Sequence, residues 1–299
     1  MRSERGQASV EWVGAVLLVA LVLGGATAAA GDVDGRSYGG WLAHSIVCAV
    51  SRGCAEQAGE LAAAYGDSDA ELVRRYAPNL VYEPGTYTLP VDFRQCRSHR
   101  CADAPDDPDL DAHLTTRGGY PATAFTHIVH RDGETFIQYW LYYPDSNSTF
   151  AGSSRAWNAV RRVEPWMGDY PGYHRDDWEG VQVRIGPDGR ARTRASAHHG
   201  YQWCKQQRCK NSWGPWTGWS RVSRGSHAGH VPTRSDPLST RIRPAHPGAD
   251  THERTTTSGG LRLIPIETLD TGAYKPLDPG ITPPWRKRVY TDPLSDSTS

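Results

Sequence analysis

The side chains best placed to do chemistry are acidic residues beside a histidine, in the segment GYHRDDWEG at residues 172–180. In an extended strand alternate side chains share a face, so Asp177 and Glu179 point to the same side as the apolar residues that follow them. Two carboxylates at the edge of an apolar face repel each other and lose hydration, unless a cation or hydrogen-bond donors lie between them. His174 is close enough in sequence to join them.

A third carboxylate ends a second strand pattern of the same kind. Asp145 closes the segment TFIQYWLYYPD and shares a face with Leu141 and Tyr143. If the two strands lie side by side, the acidic groups converge at one end of a sheet. Hard oxygen ligands with one imidazole nearby favour Mg²⁺, Ca²⁺ or Mn²⁺ over Zn²⁺. The predicted metal site therefore consists of Asp145, His174, Asp177 and Glu179.

Other histidines and three tryptophans surround this pattern in the sequence. Each histidine alone is more often a hydrogen-bonded structural residue, and an Asp at a strand end often caps a turn. A Gly/Pro-rich loop does not easily bury three indoles, so the tryptophans either stack on sugars or a membrane interface, or cover the core. The predicted periphery of the site comprises His198, His199, His227 and His230, and the predicted ligand-stacking residues are Trp213, Trp216 and Trp219.

Composition excludes one class of partner. Lys plus Arg equals Asp plus Glu, at 33 each, so the formal net charge is zero and no global field attracts nucleic acid. We therefore predict no nucleic-acid partner. Gly (31) and Pro (21) are frequent, which suits turns and short strands more than long helices.

The six cysteines form three close pairs in the sequence. Loops this short can be closed by a local disulfide, and none has the CxxC spacing of a zinc knuckle or a redox site. Free buried thiols or a composite metal site are the alternatives. Disulfides are favoured because the N-terminus indicates export. The predicted disulfide residues are Cys48 and Cys54, Cys96 and Cys101, and Cys204 and Cys209.

The N-terminus has the pattern of a membrane anchor. Residues 12–31 carry no charge, and at ~1.5 Å per residue they span about 30 Å, the thickness of a bilayer core. Arg2 and Arg5 precede them, so the positive-inside rule predicts a single-pass protein of the cell membrane with its body outside the cytoplasm. A secretory signal cleaved near Ala29, giving a secreted protein, is the alternative.

The first residues resemble a known kind of leader. RGQASVEWVG is similar to the start of type IVb (Flp-type) prepilins and TadE-like pseudopilins. This resemblance implies cleavage after Gly6, Gln7 as the first mature residue, and Glu11 at the fifth mature position. It also implies a prepilin peptidase and pilus-type export machinery as partners.

Four regions are predicted along the chain: a prepilin-like leader and transmembrane helix at 1–31, a helical stalk at 32–75, a β-sandwich metal-binding domain at 76–269, and a Pro-rich C-terminal tail at 270–299. Within the third region, DWEGVQVRI reads as a strand, and a PDG turn joins it to a hairpin partner. The predicted fold class is mainly β: a β-sandwich ectodomain preceded by a transmembrane helix and a short helical stalk.

The body resembles the superfamily of necrosis- and ethylene-inducing-like (NLP) proteins and vacuolar-protein-sorting-like proteins, over roughly residues 76–235. Residues 173–179 read YHRDDWE where the NLP heptapeptide reads GHRHDWE, and GSHA follows at residues 225–228. The resemblance implies a β-sandwich with a divalent metal, Asp145 and Asp177 as ligands, and His174 and Glu179 around the metal. NLPs are secreted, bind sphingolipid head-group sugars and damage plant membranes.

Two positions depart from the NLP heptapeptide. Tyr173 replaces its first Gly and Asp176 replaces its second His. The extra carboxylate of Asp176 either raises the affinity for a cation or faces solvent on the opposite side of the strand. The GSHA segment is more typical of the vacuolar-protein-sorting-like branch, so the resemblance supports a fold and a metal site more than toxicity.

Three functional hypotheses follow. The first is a metal-dependent module that binds a glycan or lipid head group at the cell surface. The second is a metal-dependent hydrolase with His174 or Glu179 as general base, although the sequence has no nucleophile elbow, HExxH or P-loop. The third is a structural pseudopilin-like surface protein. We favour the first and leave open whether the protein is an enzyme.

Overall fold

The computed structural model describes most of the predicted body. It contains two helices at its start, α1 (Arg52–Tyr65) and α2 (Asp67–Arg75). None of the helices in the described part of the chain is both long and apolar enough to cross a membrane. The described residues are 52–83, 86, 88–105, 114–146, 174–197, 200–201, 212–223, 225–233 and 254–295. The leader residues Gly6, Gln7 and Glu11 lie outside them.

Most of the remaining regular structure is β-sheet, interrupted by short helices. The helical pieces are α3 (His99–Ala102), α4 (Arg288–Thr291) and two 3₁₀ turns at Ile266–Thr268 and Pro284–Arg286. The strands are β1 (Asn79–Tyr82), β2 (Thr123–Arg131), β3 (Glu134–Ser146), β4 (His174–Ile185), β5 (Ala191–Ala197), β6 (Gly200–Tyr201), β7 (Gly214–Pro215), β8 (Trp219–Val222), β9 (Gly229–His230), β10 (Arg254–Thr256) and β11 (Arg262–Pro265).

These strands form two mixed sheets. The larger has the order β11-β2-β3-β4-β5-β6 with β7 also paired to β5, and the smaller has the order β10-β1-β8-β9. β11 runs parallel to β2 and β1 runs parallel to β8, while the other pairs are antiparallel. The predicted mainly β class is confirmed for the described residues.

Two tight turns determine how the central strands of the larger sheet pair. Asp132 and Gly133 join β2 to β3 with positive φ angles of 53° and 76°, as a two-residue hairpin turn of this hand requires. The PDG turn joins β4 to β5, with Ile185 paired to Ala191, so the predicted hairpin is confirmed. Because β3 is flanked by β2 and β4, it is buried along almost its whole length.

Two apolar cores lie on opposite faces of the larger sheet. The first draws Tyr139 and Leu141 from the larger sheet and Leu80 and Val222 from the smaller. The second surrounds Trp140 on the other face of β3. Alternation along one strand therefore supplies both cores.

The two ends of the described chain cover these cores. Helices α1 and α2, expected in a stalk, contribute Leu61 and Val73 to the first core. The segment 266–295, expected largely as a tail, contributes Tyr274 and Val289 to the second core. The spacing of apolar residues predicts the two helices but not the core against which they pack. The Pro-rich C-terminal segment has no strand pattern in its sequence, so its burial could not be predicted.

Candidate functional site

The pairing of β3 with β4 brings the two predicted carboxylate ligands to one face. Tyr143 pairs with Asp177 and Asp145 pairs with Arg175, so Asp145 and Asp177 are diagonal neighbours on adjacent antiparallel strands. Both carboxylates are buried, with 4% and 5% of the residue exposed. The expected side-by-side arrangement of the two strands is confirmed.

Two imidazoles contact Asp177 from different directions. The Nδ1 of His227 lies 2.9 Å from Oδ2 of Asp177, and because a carboxylate oxygen only accepts, Nδ1 is the donor. The Nε2 of His174 lies 3.8 Å from Oδ1 of Asp177. His227 is almost fully buried, whereas 30% of the His174 side chain is exposed. His174 therefore lies on the solvent side of the pair.

The approach of the two sheets positions His227. Its ring stacks on that of Tyr143, with centroids 3.9 Å apart and an interplanar angle of 4°. A Cβ at Gly229 would lie 2.7 Å from the Cβ of Ala195, so glycine allows β9 to approach the larger sheet this closely. His230, in the same hairpin, lies with its Nε2 2.8 Å from the hydroxyl of Ser223.

A histidine that sequence analysis missed lies beside Asp145. The Nδ1 of His99 in α3 is 3.7 Å from Oδ2 of Asp145, and 24% of the His99 side chain is exposed. This histidine follows no strand pattern and lies between the two cysteines at 96 and 101. A spacing between cysteines shows that a loop closes but not which side chain it presents to a sheet.

The charge of Asp177 affects the pKa of Glu179, the third predicted carboxylate of the site. Burial raises the pKa of Glu179 well above its usual range, and the nearby charge of Asp177 raises it further. The hydroxyl of Ser196 donates to Glu179. Lys287 is buried, and burial lowers the pKa of Lys287 to about 8, although the negative charges of Glu179 and Asp177 oppose this shift. The carboxylates are thus close enough to influence each other's charge.

Asp176 points to the opposite face of β4 and is fully buried. The Nη2 of Arg97 donates to both of its carboxylate oxygens at 2.8 Å, and the Tyr142 hydroxyl donates to Oδ1 at 2.6 Å. The backbone N–H of Leu277 donates to Oδ2. The sequence interpretation that puts Asp176 on the opposite side of the strand is confirmed, but the expected exposure to solvent is wrong because protein covers this carboxylate.

One tyrosine hydroxyl at the site is buried without a hydrogen-bond partner among the described residues. The hydroxyl of Tyr143 is buried without a hydrogen bond in the described part of the chain, although its ring stacks on His227. Buried hydroxyls normally bond to protein or water. Within the same residues, no three or more His, Cys, Asp or Glu side chains are grouped so as to hold a metal ion. His99 contacts Asp145, whereas His174 and His227 both contact Asp177.

The three tryptophans contact different surfaces. The guanidinium of Arg194 lies 4.4 Å from the centroid of Trp213. Trp216 packs against the first core and meets Tyr76 edge-on, with centroids 5.3 Å apart. Trp219 lies in β8, paired with Asn79. All three are half-buried, and Trp216 has the protein contacts expected for a core-covering residue.

Some predicted residues lie outside the described part of the chain. These are His198, His199, Cys48, Cys204 and Cys209. Among the predicted disulfides, the bond between Cys96 and Cys101 is present.

Comparisons with known proteins give weak likenesses. No family model and no curated protein matches this chain. NLPPya in complex with glucosamine is similar over 78% of this chain and 91% of that chain, with 18% identity and a TM-score of 0.40. NLPPya in complex with mannosamine is similar over 78% of this chain and 92% of that chain, with 17% identity and a TM-score of 0.39. Necrosis and Ethylene inducing Protein 2, from the causal agent of cocoa's Witches Broom disease, is similar over 65% of this chain and 72% of that chain, with 16% identity and a TM-score of 0.32.

Proposed function

We propose that a divalent cation binds at one end of the β3–β4 pair, on the sheet face that carries the first core. Asp145 and Asp177 are its carboxylate ligands. The observation that carries this proposal is the strand register, which places both carboxylates on the same buried face of adjacent strands. Burial of like charges side by side is unfavourable unless a positive group lies between or beside them. A cation would supply that charge.

The donor chemistry fits a hard cation. Carboxylate oxygens are the ligands that Mg²⁺, Ca²⁺ and Mn²⁺ prefer, and these ions suit the site better than Zn²⁺. The half-exposed His174 and His99 lie where they can bind the cation or hydrogen-bond to its water. Because the described groups do not complete a coordination shell, water or ligand hydroxyls would fill the remaining positions.

Such a cation site suits a sugar or a lipid head group. Neighbouring hydroxyls can replace water on a hard cation, and half-exposed imidazoles can hydrogen-bond to the same ligand. We propose a binding module for a glycan or lipid head group with this cation as its centre. The Tyr143 hydroxyl beside His227 has no hydrogen-bond partner in the described part of the chain, so it gives the site one more polar group able to meet water or ligand.

The body is proposed to lie outside the cytoplasm, anchored through residues 12–31. The support is the uncharged stretch and the arginines that precede it. We expect the full chain to remain in the membrane fraction after alkaline washing. Leu18→Arg, which puts a charge near the middle of the stretch at a cost of about 3 kcal/mol, should release it. Recovery of the unaltered chain in the wash would overturn this part of the proposal.

The binding proposal is tested with the full chain in detergent. Glucosamine, mannosamine and liposomes with glycosylated sphingolipids are the probes, each measured with added Ca²⁺ and with EDTA. We expect binding that is lost with EDTA and in Asp177→Asn, and retained in Asp188→Asn, which changes an exposed carboxylate in the β4–β5 turn. Free sugars and liposomes separate a glycan from a lipid ligand. Binding that is indifferent to EDTA and to Asp177→Asn would refute a cation-centred site.

A further inference from the structure

One loop reaches both faces of the β3–β4 end. We call residues 96–101 the disulfide loop, because the bond between Cys96 and Cys101 closes it. Before it, the amide of Val91 donates to the carbonyl of Tyr142 at 2.9 Å, which attaches the preceding segment to β3. After it, the carbonyl of Ala102 accepts from Leu89 at 3.0 Å. Both ends of the disulfide loop are therefore fixed near the sheet.

Arg97 fixes the disulfide loop to the second-core face. Its Nη2 donates to both oxygens of the fully buried Asp176 at 2.8 Å. Its guanidinium also lies 5.1 Å from the centroid of the Tyr274 ring, within range of a cation–π contact. Asp176 is covalently adjacent to Asp177, so this ion pair holds the loop beside the strand that carries a proposed ligand.

His99 extends from the same loop to the other face. Its Nδ1 lies 3.7 Å from Oδ2 of Asp145, with part of the ring exposed to solvent. Only one residue separates His99 from Arg97. The disulfide loop thus connects the fixed ion pair at Asp176 with the carboxylate pair of the proposed site.

We propose that the disulfide loop is a clamp that positions His99 as a further member of the cation site. This inference rests on the proposed function. A short disulfide-closed loop has few conformations, whereas the same segment without the bond has more, and the time that His99 spends beside Asp145 falls accordingly. Arg97 positions the loop, and His99 orients Asp145 or hydrogen-bonds to water on the cation.

The test is calorimetric titration of the full chain with Mn²⁺. We expect Cys96→Ser/Cys101→Ser to weaken Mn²⁺ binding roughly tenfold, since residues that orient metal ligands typically contribute 10- to 100-fold. His99→Ala should weaken it to a similar extent. Arg100→Ala, an exposed neighbour in the same loop, should match the wild type.

Two further measurements separate positioning from a general structural effect. Adding His99→Ala to the double serine variant should cause little additional loss, because the disulfide acts through that side chain. His99→Asn should restore most of the affinity, since its amide nitrogen can take the place of Nδ1 beside Asp145. Additive losses, or no rescue by Asn, would overturn the inference. His99→Ala and His99→Asn keep the disulfide, so wild-type Mn²⁺ affinity in His99→Ala would overturn the inference even if the double serine variant does not fold.

The outcomes distinguish this inference from the proposed function. If the wild type binds Mn²⁺ and all the loop variants bind it equally well, the clamp is refuted while the cation site stands. If the wild type binds no Mn²⁺, Ca²⁺ or Mg²⁺, the proposed function fails and the clamp fails with it.

Discussion

Asp176 and Asp177 are consecutive carboxylates that meet opposite surroundings. Asp176 faces the second core, where Arg97, Tyr142 and the amide of Leu277 donate to it. Asp177 faces the first core, where it contacts the imidazoles of His227 and His174. Alternation along β4 separates two acidic groups that are adjacent in sequence by placing them on different faces.

The difference lies in the kind of positive partner. A guanidinium is always charged and its planar geometry holds a carboxylate in one arrangement. An imidazole can be neutral or charged near neutral pH, and it can also bind a metal or its water. Asp176 therefore has a permanent structural partner, whereas Asp177 has partners that a cation can join or replace. Of the two carboxylates, Asp177 is therefore the one that we propose as a cation ligand.

The largest effect on stability is expected from removing the permanent partner of Asp176. Arg97→Ala leaves the fully buried Asp176 carboxylate without its ion-pair partner. We expect the free energy of unfolding to fall by about 3 kcal/mol. This is near the lower end for buried ion pairs, because 27% of the Arg97 side chain is exposed. Urea denaturation measures this. Arg190→Ala, from a solvent-exposed pair, is the control and should change little. A loss no greater than that control would mean that Asp176 does not depend on the guanidinium.

Adjacent tyrosines provide a finer comparison of the two faces. Tyr142→Phe removes a hydroxyl that donates to buried Asp176 at 2.6 Å, so we expect a loss of about 2 kcal/mol. Tyr143→Phe removes a buried hydroxyl that lacks a partner among the described residues, so it should be neutral or stabilising by up to about 1 kcal/mol. Both are measured by urea denaturation in EDTA. Equal losses from the two substitutions would remove the distinction between the faces.

The smallest effect concerns a second carboxylate–imidazole pair. Burial alone would raise the pKa of Glu267, but hydrogen bonds from His127 and Tyr65 lower it below its ordinary value. The charged form of Glu267 is therefore favoured in the folded state and stabilises it. This contribution to the free energy of unfolding is fully present above the unfolded pKa of about 4.3 and is lost as pH falls through the folded pKa. We expect the contribution to be less than about 1 kcal/mol because solvent screens this partly exposed group.

Urea denaturation across the acid range measures this contribution. Glu267→Gln should remove the corresponding part of the decline in stability toward low pH. Glu71→Gln changes an exposed carboxylate paired with Arg74 and serves as its control. A variant whose stability still falls with acid as steeply as that of the wild type would show that imidazole pairing of Glu267 contributes nothing.

Much of the central sheet could be predicted because its signals are local. Period-two alternation placed Asp145 and Asp177 on apolar faces, and the PDG turn predicted the pairing of β4 with β5. The same alternation placed Asp176 on the opposite side. It did not show that Asp176 is buried, because its cover comes from Arg97 in a loop and Leu277 in a Pro-rich segment.

The rest of the site depends on contacts between distant segments. His99 approaches Asp145 only because a short cysteine-closed loop crosses the end of β3, and no periodicity in the sequence indicates that direction. His227 was expected near the site from its segment, but its stacking on Tyr143 requires the close approach of β9 at Gly229. Spacing along one strand predicts faces, whereas packing between segments determines which side chains meet.

The most direct test measures retained cation and stability together in two matched variants. After purification of the full chain in Ca²⁺ and exhaustive dialysis, elemental analysis gives the bound metal and urea denaturation in EDTA gives the free energy of unfolding. We expect Asp177→Asn to lose the metal while keeping nearly all of its stability, and Asp176→Asn to keep the metal while losing stability. If Asp177→Asn retains as much metal as the wild type, or if the wild type retains none, the assignment of Asp177 to a cation site is contradicted.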